Sequence, residues 1–136
     1  MRRAALLLGV VMSVAGCRAA AERVALQPLP EDAGPMPFVD LVGRARLQAM
    51  AANEAFYVDN WKDLEDAAAG LKQTAQFLKR ARAVPSYRQA DLPSRADNLA
   101  RDADQLRDAG RRHEVDQVNA VLQRIHFQVR ELRSER

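Results

Sequence analysis

Cysteine is almost absent from this sequence: Cys17 is the single cysteine among 136 residues. A lone cysteine excludes an intramolecular disulfide and any zinc site built from clustered cysteines. Histidine is nearly as rare, and His113 and His126 lie too far apart to form a His-x-x-x-His metal pair. A glycine-rich phosphate loop is also missing. The common metal and nucleotide chemistries therefore have no support here.

Glycine, proline and aromatic residues are scarce, at 6 Gly, 6 Pro and 5% aromatic. Alanine, leucine, glutamine, arginine and aspartate dominate instead, which favours helix. The length suits one domain with a modest core. Most of the formal charge of +3 comes from Arg2 and Arg3, and elsewhere basic and acidic residues alternate as on solvated helix faces. We therefore expect no nucleic-acid partner.

The N-terminus has the pattern of an export signal. Arg2 and Arg3 precede an apolar run, residues 4–14, that is too short to span a bilayer permanently. The following Val14-Ala15-Gly16-Cys17 resembles the lipobox of bacterial lipoproteins, although an ordinary signal peptide with an accidental cysteine is the alternative. The resemblance implies that residues 1–16 are removed and that lipid on Cys17 anchors the protein to a membrane. We expect a periplasmic location, and Arg18 after the cysteine favours the outer membrane.

Residues 17–37 contain four prolines, at positions 28, 30, 35 and 37, and no helical period that survives them. Proline fixes an extended backbone and lacks the N–H that a helix requires. We predict that 17–37 is the lipidated cysteine followed by a flexible tether, which lets the domain at 38–136 stand clear of the membrane.

Apolar residues in the domain recur at three- and four-residue steps, which predicts four helices. The first begins at Phe38 and is broken at Asp59-Asn60. The second covers Trp61 to Ala83, and the third begins at Leu92-Pro93 and stops at Gly110 as its C′ residue. The fourth begins near residues 111–114 and continues to Arg133. Short connections favour an all-α, antiparallel up-down-up-down four-helix bundle.

The last helix carries the main candidate for chemistry. Its apolar stripe consists of Val118, Leu122, Ile125, Val129 and Leu132. At about 100° per residue, His126 falls on the flank of this stripe. On the first helix, Met50 lies in a second row with Arg46, beside the main stripe.

These residues fit the frame of a known family. The segment Leu122-Gln123-Arg124-Ile125-His126 is spaced like a Cys-x-x-Cys-His motif, and Arg130 follows four residues later. With Arg46-x-x-x-Met50 on the first helix and the Asn60-Trp61 turn, the domain resembles the cytochrome c′-like four-helix bundles. In that family the histidine is the proximal haem ligand, and the first-helix residue lies on the distal side. Leu122 and Ile125 replace both cysteines, which excludes covalent attachment.

The resemblance leaves two functions open. In the first, haem binds non-covalently between His126 and Met50, and Arg46 and Arg130 pair with its propionates, for electron transfer or haem-ligand sensing. The sequence identifies no redox partner for this function.

In the second, the fold has lost haem and is a structural or protein-interaction lipoprotein. Leu47 and Phe77, which lie off the main stripes, then contribute to a homodimer face. We expect no enzymatic activity, because the sequence offers no set of catalytic side chains.

Overall fold

The computed structural model describes residues 26–135. They form four helices: α1 Phe38–Tyr57, α2 Trp61–Leu78, α3 Leu92–Arg111 and α4 Val115–Arg133. Each helix packs against two others in a ring, α4 closing it against α1, and residues 26–135 contain no strand beyond one isolated bridge. The predicted all-α four-helix bundle is confirmed. The expectations about the signal peptide and Cys17 concern residues that lie outside the described part of the chain.

The predicted stripes form the core. The α4 stripe is entirely buried, and apolar residues recurring at three- and four-residue steps on α1 are buried with it: Phe38, Leu41, Val42, Ala45, Ala49 and Ala52. Alanine fills many core positions, so the helices pack closely on small side chains. The larger core side chains with no exposed surface include Leu41, Leu64, Leu71, Leu78, Leu99, Leu106, Val118 and Ile125.

Three ion pairs join α2, or the residue directly after it, to α3. They are Glu65–Arg111 at 3.0 Å, Lys72–Asp104 at 2.8 Å and Lys79–Asp97 at 2.9 Å. Residue numbers rise along α2 while those of the partners fall along α3, so the two helices are antiparallel. The pairs are partly exposed and contribute less than about 1 kcal/mol each. They report the register of the two helices more than they stabilise it.

Two three-residue turns, 58–60 and 112–114, lie at one end of the bundle, which we call the turn end. Each contains one residue in the left-handed region, Asp59 with φ 54° and His113 with φ 54°. In each turn the residue after the left-handed one donates its N–H to the carbonyl five residues earlier. These bonds are Asn60 to Ala55 at 2.8 Å and Glu114 to Ala109 at 3.0 Å. These are Schellman turns. The Trp61 and His113 rings stack at 4.4 Å and hold the two turns together.

The prediction that Gly110 is the C′ residue of α3 is wrong. The helix continues through it to Arg111, and His113 takes the left-handed position instead. Gly110 has a packing role, because a Cβ there would lie 3.2 Å from Leu64 Cδ2. The glycine permits close approach of α3 and α2.

The predicted end of the second helix, at Ala83, is also wrong. Helix α2 ends at Leu78, and residues 79–91 connect it to α3 around a short 3₁₀ turn, Ser86–Arg88. The Arg82 N–H donates to the Met36 carbonyl at 2.9 Å, and the Arg82 carbonyl accepts from the Phe38 N–H at 2.9 Å. These bonds to the segment before α1 replace those that Arg82 would make in a longer helix.

The described part of the predicted tether lies against the bundle instead of standing free. The Gln73 side-chain amide accepts from the Leu29 N–H and donates to the Leu29 carbonyl, both at 2.8 Å. The buried Arg44 guanidinium donates to the Gln27 carbonyl. Leu29, Ala33 and Met36 also pack against the core. Proline gave the segment its extended shape, but contacts that sequence patterns do not show hold it in place.

Candidate functional site

Met50 and His126 line the same surface groove. It has a volume of about 690 Å³, and its described lining comes from α1, α2, Leu26 and one residue of α4, His126. The apolar part of this lining consists of Leu26, Met50, Ala51, Ala55, Val58 and Ala67. The structure thus brings together the two side chains that the sequence singled out, on the outside of the bundle.

Neither side chain is enclosed. Met50 is 46% exposed, and His126 is exposed as well. The part of the imidazole that is removed from water lowers the pKa of His126 below its usual 6.5, because burial disfavours the charged ring. A neutral imidazole can accept a hydrogen bond or bind a metal. Its surroundings, however, are open to water.

The two predicted propionate partners do not line the groove. Arg46 and Arg130 are both exposed, and the Arg130 guanidinium lies over the Phe127 ring at 5.3 Å from its centroid. The described lining carries carboxylates instead, from Glu54, Asp63 and Asp66. Its charge is therefore of the same sign as that of haem propionates.

The core beneath His126 is closed. Leu122 and Ile125, which stand where haem-attaching cysteines would be, are 2% and 0% exposed. Haem requires a large apolar pocket with its charged edge near donors or water. A groove that is half open and rimmed by carboxylates, above a filled core, does not provide one. The residues present do not fit haem.

The haem-free interpretation placed Phe77 at an exposed homodimer face, but Phe77 is buried. It is 4% exposed and packs in the core, with the Arg80 guanidinium 4.1 Å from the centroid of its ring. Leu47 is half-buried. The homodimer loses its expected anchor, because Phe77 already belongs to the bundle.

Sequence patterns missed a buried carboxylate on α3. Asp102 is 7% exposed; one oxygen accepts from Arg124 at 2.9 Å and the other from Gln128 Nε2 at 2.5 Å. Both oxygens are therefore bonded, which suits a structural link between α3 and α4 more than acid–base chemistry. The sequence does contain one signal of this burial. Asp102 is three residues after Leu99 and directly before Ala103, so it lies beside apolar residues that face the core.

Among residues 26–135, no group of three or more potential ligands could hold a metal ion. No helix of this part of the chain has the length and apolar character needed to cross a membrane. Comparison with protein-family models, curated proteins and solved structures found no match.

Proposed function

We propose that this protein is a haem-free, lipid-anchored helical module with a structural or protein-interaction role outside the inner membrane. The lipobox resemblance at Cys17 supports the anchor, and the bundle supplies the module. The cytochrome c′-like resemblance then describes a shared architecture from which the cofactor has been lost.

One observation carries the haem-free proposal. Met50 and His126 meet in a half-open groove whose charged residues are carboxylates, and Leu122 and Ile125 fill the core beneath. The shared groove is also the one feature that favours haem. It is outweighed, because axial ligation of a stable haem depends on a dry apolar cavity more than on two available ligand atoms.

The interaction role rests on the turn end. Tyr57 is 73% exposed, Val58 66% and Val115 54%; Val58 lies in the first tight turn, and the other two flank the turns. Exposed apolar side chains beside rigid turns can contribute to a binding surface. The stacked Trp61 and His113 rings would hold that surface in a fixed shape.

Haemin titration tests the haem-free proposal. The purified protein should develop no Soret band beyond that of free haemin. His126→Ala should leave the titration unchanged, and His113→Ala, in the turn 112–114 and not among the groove's described lining residues, is the control. A Soret band that His126→Ala abolishes and His113→Ala retains would overturn the proposal and establish haem ligation.

Fractionation tests the anchor separately. The wild-type protein should sediment with membranes, and Cys17→Ser should release it into the soluble fraction, because the acyl chains supply the membrane affinity. Persistence of the Cys17→Ser protein in the membrane fraction would contradict lipidation at this residue without affecting the haem result.

A further inference from the structure

A second groove lies between α3 and α4, and it shares no described lining residue with the groove of Met50 and His126. It has a volume of about 520 Å³, and its described lining residues all belong to these two helices. On α4 they extend from Ala120 to Leu132, over which the helix rises about 18 Å. The groove is therefore long enough to hold a short segment of a partner protein.

This groove contains an exposed aromatic side chain. Phe127 is 55% exposed, and the Arg130 guanidinium lies 5.3 Å from the centroid of its ring. Ala120 and Gln123 share the same face of α4 with Phe127, and both line the groove and are exposed. Aromatic and arginine side chains are enriched at protein interfaces, where a few residues carry most of the affinity. Phe127 thus offers an anchor for an apolar side chain of the partner.

The charged side chains of the described lining are both arginines, Arg95 and Arg124. Arg95 donates through Nε to Asp91, and this carboxylate is shared with Arg88. Arg124 donates through Nε and Nη2 to Asp102. Within residues 26–135, both Nη atoms of Arg95 and Nη1 of Arg124 make no hydrogen bond. These donors suit a carboxylate, which a guanidinium binds through parallel hydrogen bonds.

We propose that this groove binds an acidic amphipathic segment of a partner protein. An apolar side chain of the segment packs on Phe127, and its carboxylates accept hydrogen bonds from Arg95 and Arg124. The groove is a second surface for the proposed interaction role. It depends neither on the turn end nor on the lipid at Cys17.

Charge selects this partner over the alternatives. A second copy on the same face would bring the arginines of both copies together, because a two-fold interface pairs a patch with itself. A basic segment would meet Arg124 inside the groove, since the carboxylates of Asp116 and Glu131 lie on this face of α4 but outside the described lining. Nucleic acid would need a longer basic surface than two arginines.

Two synthetic peptides test the proposal. Each is an amphipathic helix of about 14 residues with leucines on one face. One has glutamates beside the leucines, and the other has lysines at the same positions. Fluorescence anisotropy of the labelled peptides with the full chain should show saturable binding of the acidic peptide and at least about tenfold weaker binding of the basic one, because like charges repel across an interface. Equal binding of the two would overturn the proposal.

Variants locate the contact. Phe127→Ala should weaken binding of the acidic peptide about tenfold. Tyr57→Ala, at the exposed aromatic residue of the turn end, is the matched control and should leave binding unchanged. Arg95→Glu should weaken binding of the acidic peptide and strengthen that of the basic one. Arg46→Glu makes the same charge change at an exposed position of α1 and should alter neither by more than about twofold.

Phe127 is largely exposed, so the Phe127→Ala result holds even if Arg95→Glu is less stable. Undiminished binding of the acidic peptide to Phe127→Ala, or its loss in Tyr57→Ala, would overturn the proposal. Sedimentation of the protein alone should show no self-association that Phe127→Ala abolishes, since such a result would make a second copy the occupant. Displacement of the acidic peptide by an oligonucleotide of random sequence would likewise overturn the assignment to a protein segment.

Discussion

The two ends of the bundle are closed in different ways. At the turn end, three-residue Schellman turns join consecutive helices, and each turn is built from backbone bonds between near neighbours. At the opposite end, which we call the loop end, residues 79–91 form one long connection. There Arg88, only 1% exposed, donates through Nη2 to the carbonyls of Glu131 and Ser134 at the end of α4. One end is closed by local structure and the other by a buried cation.

The difference shows what each kind of connection requires. A tight turn satisfies its own helix termini, so it depends little on distant residues. A long connection has to be fixed by a contact across the fold. Arg88 supplies one: its positive charge lies at the C-terminus of α4, where the helix dipole favours cations, and Nη1 contacts Asp91 at 3.2 Å. The loop end should therefore be the more sensitive to single substitutions.

The largest effect should come from Arg88→Ala. It removes a buried guanidinium that bonds two partly buried carbonyls, and it leaves a cavity, so we expect the free energy of unfolding to fall by about 2–4 kcal/mol. Arg88→Lys should recover part of this loss, because an ammonium keeps the charge but lacks the planar fork. Urea denaturation measures both. Arg101→Ala, at an exposed arginine, is the control and should change stability by less than about 0.5 kcal/mol.

If Arg88→Ala costs no more than Arg101→Ala, the loop end is held by something other than the guanidinium. Hydrogen exchange at the α4 C-terminus would then show unchanged protection. If the guanidinium does hold the loop end, the amides at the α4 C-terminus should be protected in the wild type, and in Arg88→Ala they should lose protection before those of the other helix ends.

The same contrast explains what sequence patterns could predict. The starts of α1 and α2 follow from Pro37 and from the Asn60 cap, and the core stripes follow from apolar periodicity, all of which are local signals. Arg88 looks like an ordinary loop cation in the sequence, because its partners lie more than 40 residues away. The docking of Leu29 on Gln73 is equally non-local. Met50 and His126 line one groove, but their exposure and its carboxylate rim depend on tertiary packing, which the sequence pattern does not show.

A smaller effect should come from Asn60→Ala at the turn end. The Asn60 side-chain oxygen accepts from the Asp63 N–H at 3.2 Å and caps α2. Its loss should cost about 1 kcal/mol, because one terminal N–H of the helix loses its partner. Asn60→Ser should retain most of the stability, since serine also caps well and places no second carboxylate beside Asp63. A thermal melt that shows Asn60→Ala to be as damaging as Arg88→Ala would remove the distinction between the two ends.

The smallest effect concerns acid pH. A hydrogen bond from Arg95, at 2.5 Å, and the charges of Arg95 and Arg88 hold the pKa of Asp91 below its usual 3.8. At the turn end, a hydrogen bond and the charge of Arg112 likewise lower the pKa of Glu114 below its usual 4.5. A depressed carboxyl pKa stabilises the fold above the unfolded pKa, and this contribution is lost as pH falls through the folded value.

Both carboxylates are partly exposed to solvent, so screening keeps the contributions small. We expect Asp91→Asn to lower the urea midpoint at pH 6. The wild-type midpoint should also fall between about pH 4, near the unfolded pKa of aspartate, and about pH 2, and this fall should be smaller in Asp91→Asn. Glu114→Gln should show the same sign with a smaller change, because its partner Arg112 is exposed whereas Asp91 also contacts the buried Arg88. An equal or larger change for Glu114→Gln would mean that the buried guanidinium does not make the loop end more sensitive to acid.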